Sequence, residues 1–112
     1  MSNTETVEEK TNHSGTAIKI DYDNLKRAAR IIRSVNHRLR QQILKLLDES
    51  GRLPVTEIYV KLRLEQSVAS QHLAILRDSG AVKTEREGKF IYYSLNDTRL
   101  DQLAELVDEL VK

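Results

Sequence analysis

A short polar segment near residue 70 carries the side chains whose types and spacing suggest the clearest chemistry. Small or amide side chains recur there at intervals of three and four, which places them on one side of a predicted helix: Ser67, Ser70, Gln71 and Ala74. Their hydroxyl and amide groups both donate and accept hydrogen bonds and carry no net charge. A helix that enters the major groove of DNA needs such a face, because base edges present donors and acceptors at close range. The pattern therefore predicts a helix that contacts DNA bases.

The segments around this face are those that would hold it in place. The other side of residues 64–80 is apolar, with Val68, Ala69, Leu73 and Leu76, and Gly80 is a typical helix-ending residue. Residues 81–95 give two β-rich runs around Glu87-Gly88-Lys89, which predicts a β-hairpin. Lys83, Arg86 and Lys89 are expected near the hairpin tip, where they would reach phosphates or the minor groove. A polar helix followed by a basic hairpin is the arrangement of a winged helix-turn-helix.

Apolar periodicity predicts further helices over residues 22–35, 37–48, 56–62 and 97–112, with Asn36 and Asn96 as N-caps. Leu53-Pro54 is expected to lead into the third of these helices. Residues 1–17 are polar and predict a disordered tail, so the folded domain is expected over residues 18–112. The last helix carries a heptad-like apolar stripe that either a partner subunit or the rest of the same chain would cover, and we expect a partner subunit.

The stretch SVASQHLAILRDSGAVKTEREGKFIYYSL, residues 67–95, resembles the ArsR (SmtB-like) family of bacterial winged-helix repressors. His37-Arg38-Leu39-Arg40 and Ile43-Leu44 are similar to the second helix of that family, and the resemblance spans roughly residues 22–112. It implies a mainly α fold with a small β-hairpin wing, a winged helix-turn-helix that dimerises through its first and last helices. The implied dimer interface is Leu25, Ala28, Ile32, Leu100, Leu103, Val107 and Leu110.

These features together predict a sequence-specific regulator of transcription that binds double-stranded DNA as a homodimer. We expect a repressor that blocks promoters sterically and prefers an inverted-repeat operator. The candidate DNA-binding residues are Gln66, Ser67, Ser70, Gln71, His72, Lys83, Arg86 and Lys89. The alternative is a winged-helix protein-interaction module that does not bind DNA.

Several of these residues also have a plainer interpretation. His72 either approaches DNA or packs to dock its own helix. The hairpin charges either contact phosphates or protect an edge strand from pairing with another chain. Arg38 and Arg40 either bind phosphates or flank the second helix, and the sequence does not separate the two.

Many members of the family are metal sensors, so the positions of their ligands matter. The places of the Cys pair in the third helix hold Tyr59 and Lys61. In the last helix Asp97 matches a ligand, but Arg99 and Leu110 occupy the two His places. Neither the pair Tyr59 and Lys61 nor the set of Asp97, Arg99 and Leu110 suits a soft metal. The sequence therefore predicts no metal and no other cofactor, and it leaves open whether the effector is a small organic molecule, a protein or absent.

Composition excludes several classes of protein. The 112 residues contain no Cys, which rules out disulfides and thiol redox sensing. The net charge is only +1, but residues 18–40 carry seven Lys or Arg against two Asp. Such local concentration is compatible with DNA binding. No nucleophile–base constellation or Gly-rich phosphate loop is present, so we expect no enzyme. No apolar run is long enough to cross a membrane, and a cytoplasmic location is expected.

Overall fold

Helices dominate the computed structural model, which describes residues 7–11 and 17–112. The helices in this part of the chain are α1 (Tyr22–Val35), α2 (Arg38–Ser50), α3 (Val55–Leu62), α4 (Gln66–Asp78) and α5 (Asp97–Val111). The strands are β1 (Val7–Thr11), β2 (Ala17–Asp21), β3 (Arg52–Pro54), β4 (Val82–Glu87) and β5 (Phe90–Leu95). The chain divides between Ile31 and Ile32 into two units, so α1 begins in the first and ends in the second.

The first unit contains an antiparallel hairpin in which β1 pairs with β2, from Val7 opposite Asp21 to Thr11 opposite Ala17. The prediction of a disordered tail is therefore corrected at β1 and at Ala17, because these residues form strands. Ile18 and Ile20 supply the alternating β-branched side chains that favour a strand there. The rest of that prediction, residues 1–6 and 12–16, lies outside the described residues.

The core of the second unit is formed by α2, α3 and α4 against a small sheet. Its largest fully buried side chains are Ile43, Leu47, Ile58, Leu73 and Leu76, and Leu53, Ala81 and Val82 complete the cluster. Burial of each large aliphatic side chain contributes about 1.5–3 kcal/mol. Arg63, in the left-handed region with φ of 58°, reverses the chain between α3 and α4. The result is a helix-turn-helix whose second helix, α4, is anchored along its apolar side.

The sheet of the second unit is antiparallel, with strand order β3-β5-β4. Gly88 and Lys89 form the two-residue turn between β4 and β5, and the φ of +63° at Gly88 explains why glycine stands there. The sequence did not predict β3, because this strand is only three residues long and contains a proline. Pro54 is tolerated because β3 lies at the edge of the sheet. The predicted fold class, a winged helix-turn-helix with a β-hairpin wing, is confirmed.

The helix ends follow local hydrogen bonding. Asn96 caps α5 as predicted, its Oδ1 accepting from the Arg99 N–H at 3.3 Å. The predicted cap Asn36 is wrong: His37 caps α2, with its Nδ1 accepting the Leu39 N–H at 3.1 Å. Gly80, with φ of +83°, has the left-handed conformation expected after α4. Among the described residues, no helix is long and apolar enough to span a membrane.

Candidate DNA-binding surface

The polar face that the sequence predicts for the helix contacting DNA bases is present on α4. Gln66, Ser67, Ser70, Gln71 and Ala74 are all exposed, while the apolar residues Ala69, Leu73 and Leu76 on the other side are fully buried. Packing of the apolar side therefore fixes which side chains α4 presents outward. The exposed side offers hydroxyl and amide groups without a charged residue among them.

His72 differs from the other α4 candidates, because it is half-buried at the edge of this face. Its Nδ1 lies 3.1 Å from Arg40 Nη1, and its ring centroid lies 4.7 Å from that of His37. Burial lowers the pKa of His72 below its usual value, and the neighbouring His37 and Arg40 lower it further. One of its two ring nitrogens is thus engaged inside the protein. His37 and His72 are far apart in the sequence, so no local spacing relates them.

The wing places the three predicted basic residues in different positions. Lys89 lies in the turn, with its Nζ 5.7 Å from the Phe90 ring centroid. Arg86 is exposed near the turn, and its Nε donates to the backbone oxygen of Gly88 at 3.2 Å. Lys83 is not near the tip as predicted, because it pairs with Ser94 towards the other end of the hairpin.

Lys83 instead lines an open cleft of about 260 Å³ that also includes Asp48 and Asp97. The tip of the wing retains Arg86 and Lys89 as its cationic side chains.

Arg52 is a residue of the wing that the sequence did not single out. Its Nη1 lies 3.1 Å from Glu85 Oε1 and its Nη2 2.7 Å from Glu87 Oε1. Its guanidinium carbon lies 4.2 Å from the centroid of the Tyr92 ring, so the side chain crosses β5 to reach β4. The hydrogen bond from Arg52 and then its charge lower the pKa of Glu87. One guanidinium thus pairs with both acids of the wing, and it comes from a residue more than 30 positions earlier in the chain.

The apolar stripe of α5, part of the predicted dimer interface, is exposed only over its later residues. Leu103 is buried, and Leu100 is half-buried and packs against the core of the second unit. Exposed large apolar side chains lie further along the helix instead: Leu106, Val107, Leu110 and Val111. The dimer interface therefore stays a prediction, in which the later part of α5 offers the more exposed apolar side chains. On α1, Leu25 is exposed, and Ala28 and Ile32 are half-buried.

A helix-turn-helix with a polar second helix and a basic wing defines a class of DNA-binding proteins. The family model described as bacterial regulatory protein, arsR family, matches residues 37–84. The chain is 34% identical over 92 residues to the transcriptional repressor PagR of Bacillus anthracis, covering 82% of this chain and 92% of PagR. The crystal structure of PagR matches with a TM-score of 0.63 over 77% of this chain and 98% of that one.

Two further relatives extend this similarity. The transcriptional activator HlyU of Vibrio cholerae is 36% identical over 87 residues, which are 78% of this chain and 80% of HlyU. The homodimeric winged helix-turn-helix DNA-binding domain of Mb0332 from Mycobacterium bovis, a possible ArsR-family regulator, matches with a TM-score of 0.67 at 29% identity, over 80% of this chain and 82% of that one. The chain therefore belongs to the ArsR family. It is a DNA-binding regulator of transcription and not an enzyme.

The structure describes the positions that the resemblance matches to metal ligands of the family. Tyr59 is half-buried and Lys61 is exposed on α3, and neither provides a soft ligand. Arg99 lies against the backbone of Gly80, where a Cβ would come within 3.1 Å of Arg99 Nε, and Leu110 is an exposed apolar side chain. Within the described part of the chain, no three His, Cys, Asp or Glu side chains are grouped to hold a metal ion.

Proposed function

We propose that this protein is a homodimeric repressor that binds an inverted-repeat operator through α4 and the wing, and that it does so without a metal switch. The exposed, uncharged face of α4 carries this proposal. A solvated helix face does not require a run of short hydrogen-bonding side chains, whereas a helix that lies against base edges does.

Each element supplies a different kind of contact in this proposal. Gln71 is suited to bidentate pairing with adenine, and Ser67 and Ser70 to donors or acceptors of neighbouring base edges. Gln66, in the first turn of α4, is proposed to contact a phosphate. Arg86 and Lys89 at the wing tip add phosphate contacts, which position the protein without reading sequence.

The apolar side chains exposed on α5 and α1 support the homodimer. Val107 and Leu110 are 47% and 70% exposed, and Leu25 on α1 is 53% exposed. Large apolar side chains exposed in series along one helix, as at the end of α5, are typical of a surface that another subunit covers. A two-fold dimer would present two copies of α4 to successive major grooves about 34 Å apart, which is why an inverted repeat is the expected site.

In this proposal, binding of the dimer to a promoter is sufficient to repress transcription. A dimer bound across a promoter excludes polymerase, whereas activation needs an additional productive contact with the transcription machinery. PagR is named as a repressor and HlyU as an activator, so relatives exist with each direction of control. We assign repression, and with it a cytoplasmic location where the chromosome is accessible.

The proposal is tested by letting the wild-type protein enrich duplexes from a random-sequence library. The enriched duplex should bind far more tightly than a scrambled one, and the affinity should fall steeply with salt, because bound phosphates release counterions. EDTA and added Zn²⁺ should leave the affinity unchanged. Absence of enrichment, together with salt-insensitive capture of a protein partner, would contradict the proposal and favour the protein-interaction module.

Replacing Ser70 and Gln71 together by Ala should weaken binding to the enriched duplex by about 1–3 kcal/mol for each base contact that the substitutions remove. Binding to the scrambled duplex should stay the same, since neither side chain carries charge. Gln102→Ala, at an exposed glutamine of α5, is the matched control and should change neither affinity. Equal affinities of the double variant and the control for the enriched duplex would place base readout elsewhere.

A further inference from the structure

Three side chains connect α4 to the helices that precede it. Arg40 on α2 donates from Nε to the backbone oxygen of Ser34 at 2.6 Å, near the end of α1. The Nη1 of the same guanidinium lies 3.1 Å from His72 Nδ1 on α4. His37, the N-cap of α2, stacks at a tilt beside His72. One planar group thus joins the end of α1, α2 and α4.

We propose that Arg40 is a positioning residue that sets the orientation of α4 for specific DNA binding without contacting DNA itself. This inference rests on the proposed function, because it assigns Arg40 a role in the same binding event. The guanidinium is planar and its donors point in fixed directions, so bonds to Ser34 and His72 constrain where α4 lies relative to the end of α1. The sequence left Arg40 open between a phosphate contact and a flank of its helix.

The same geometry fixes the protonation of His72. An Arg guanidinium only donates hydrogen bonds, so His72 Nδ1 must accept and the ring proton must reside on Nε2. Protonation of His72 would set an N–H against the Arg40 N–H and break the contact. The charged or titratable groups that act on His72 are Arg40 and His37, and neither is an acid that would stabilise the imidazolium.

Variants of Arg40 separate positioning from direct contact. Arg40→Met keeps the aliphatic stem but removes both hydrogen bonds, and we expect it to lose about tenfold in affinity for the library-enriched duplex, comparable to one base contact. Its affinity for scrambled duplex should match that of Arg38→Met, a control that removes one positive charge from the same turn. Arg40→Lys should not rescue, because one ammonium cannot replace two diverging donors.

Variants of His72 test the other end of the contact. Asn places an acceptor near the position of Nδ1 and does not titrate, so His72→Asn should retain specific affinity. His72→Leu has similar bulk without an acceptor and should lose it. Thermal unfolding of each variant shows whether it folds. If His72→Leu does not fold, the affinity of His72→Asn still decides the test.

A pH profile gives a readout that a merely structural role would not move. The ratio of specific to scrambled affinity should fall for the wild type only as the pH drops below the ordinary histidine value of about 6.5, because the pKa of His72 is lowered. The ratio should be flat for His72→Asn. A specific affinity that rises as the pH falls, and does so only when His72 is present, would identify a phosphate contact and overturn the proposal.

Two outcomes distinguish failure of this inference from failure of the proposed function. NMR of the free protein reports the His72 tautomer without any DNA, and a proton on Nδ1 would overturn the inference even if the library is enriched. A proton on Nε2 with no enrichment would leave the Arg40 contact in place and contradict DNA reading. Equal loss of specific and scrambled affinity in Arg40→Met, beyond that of Arg38→Met, would make Arg40 a phosphate contact.

Discussion

At the scale of single residues, His72 shows how burial and charge together control a side chain. Burial, then His37 and Arg40, lower the pKa of His72, so the folded protein takes up its proton at lower pH than the unfolded chain does. The unfolded chain therefore binds more protons just below the ordinary histidine value of about 6.5. Stability from this residue is complete above that value and is lost as the pH falls.

This linkage gives a prediction for unfolding. Urea denaturation should show a lower free energy of unfolding at about pH 5.5 than at about pH 7.5 for the wild type. His72→Asn should show a smaller decrease, because the residue no longer titrates. The decrease in the free energy of unfolding that remains in His72→Asn comes from the titration of other groups. Identical pH dependence in the two proteins would mean that His72 is protonated as easily in the folded as in the unfolded state.

The polar face of α4 could be predicted from the sequence because Ser67, Ser70 and Gln71 lie within one helix, where spacing alone decides which side chains share a side. The partners of His72 could not be predicted from the sequence. Arg40 lies 32 positions away and meets His72 only once α2 and α4 have packed together. No local pattern indicates such a contact, and the scattered histidines gave no signal of it.

At the scale of elements, one residue from the edge strand β3 offsets part of the negative charge of the wing. Arg52 on β3 contacts Glu85 and Glu87 on β4 and lies over Tyr92 on β5. Without this contact, the two carboxylates would stand free beside the phosphates that Arg86 and Lys89 are proposed to meet.

Arg52→Met should therefore weaken DNA binding several-fold while changing stability little, since exposed ion pairs contribute little to folding. The effect should diminish at high salt, which screens the released carboxylates. Adding Glu85→Gln and Glu87→Gln to Arg52→Met should restore affinity, and fluorescence anisotropy with the enriched duplex measures all of these. If the triple variant bound as weakly as Arg52→Met, the role of Arg52 would lie in the shape of the wing and not in its charge.

The long elements were more predictable than the short ones. The predicted helix over residues 22–35 coincides with α1, because a regular apolar stripe with polar residues between is a strong signal. β3 has three residues, too few to show an alternating pattern. The cap of α2 was assigned to Asn36, since Asn is a common cap residue. His37 takes this role instead, because its Nδ1 reaches a backbone N–H in the first turn of the helix.

At the scale of the whole molecule, the proposed dimer depends on which apolar residues one chain leaves exposed. Leu100 and Leu103 are used within the chain, so the partner is expected to meet the later part of α5. Val60 on α3 is 66% exposed but lies outside the proposed interface, which makes it a matched control.

Val107→Glu with Leu110→Glu should convert a dimer into a folded monomer, because charged side chains cannot be buried between subunits without large desolvation. Sedimentation velocity measures the mass, and circular dichroism checks the fold. Val60→Glu should remain dimeric. Binding to a duplex with two half-sites should collapse for the double variant, while a single half-site is bound weakly by both proteins. A double variant that sediments as a dimer would place the interface on another surface.

The division of α4 into two sides has a consequence for how such proteins diversify. Leu73 and Leu76 hold the helix from its buried side, whereas Ser67, Ser70 and Gln71 are exposed on the other. In the proposed binding mode, substitutions at the outer positions alter the preferred operator without destabilising the fold, as surface changes usually have small effects on stability. A duplicated copy of this gene would be free to acquire a new set of target promoters by a few changes on one helix face, while every residue that builds the domain stays the same.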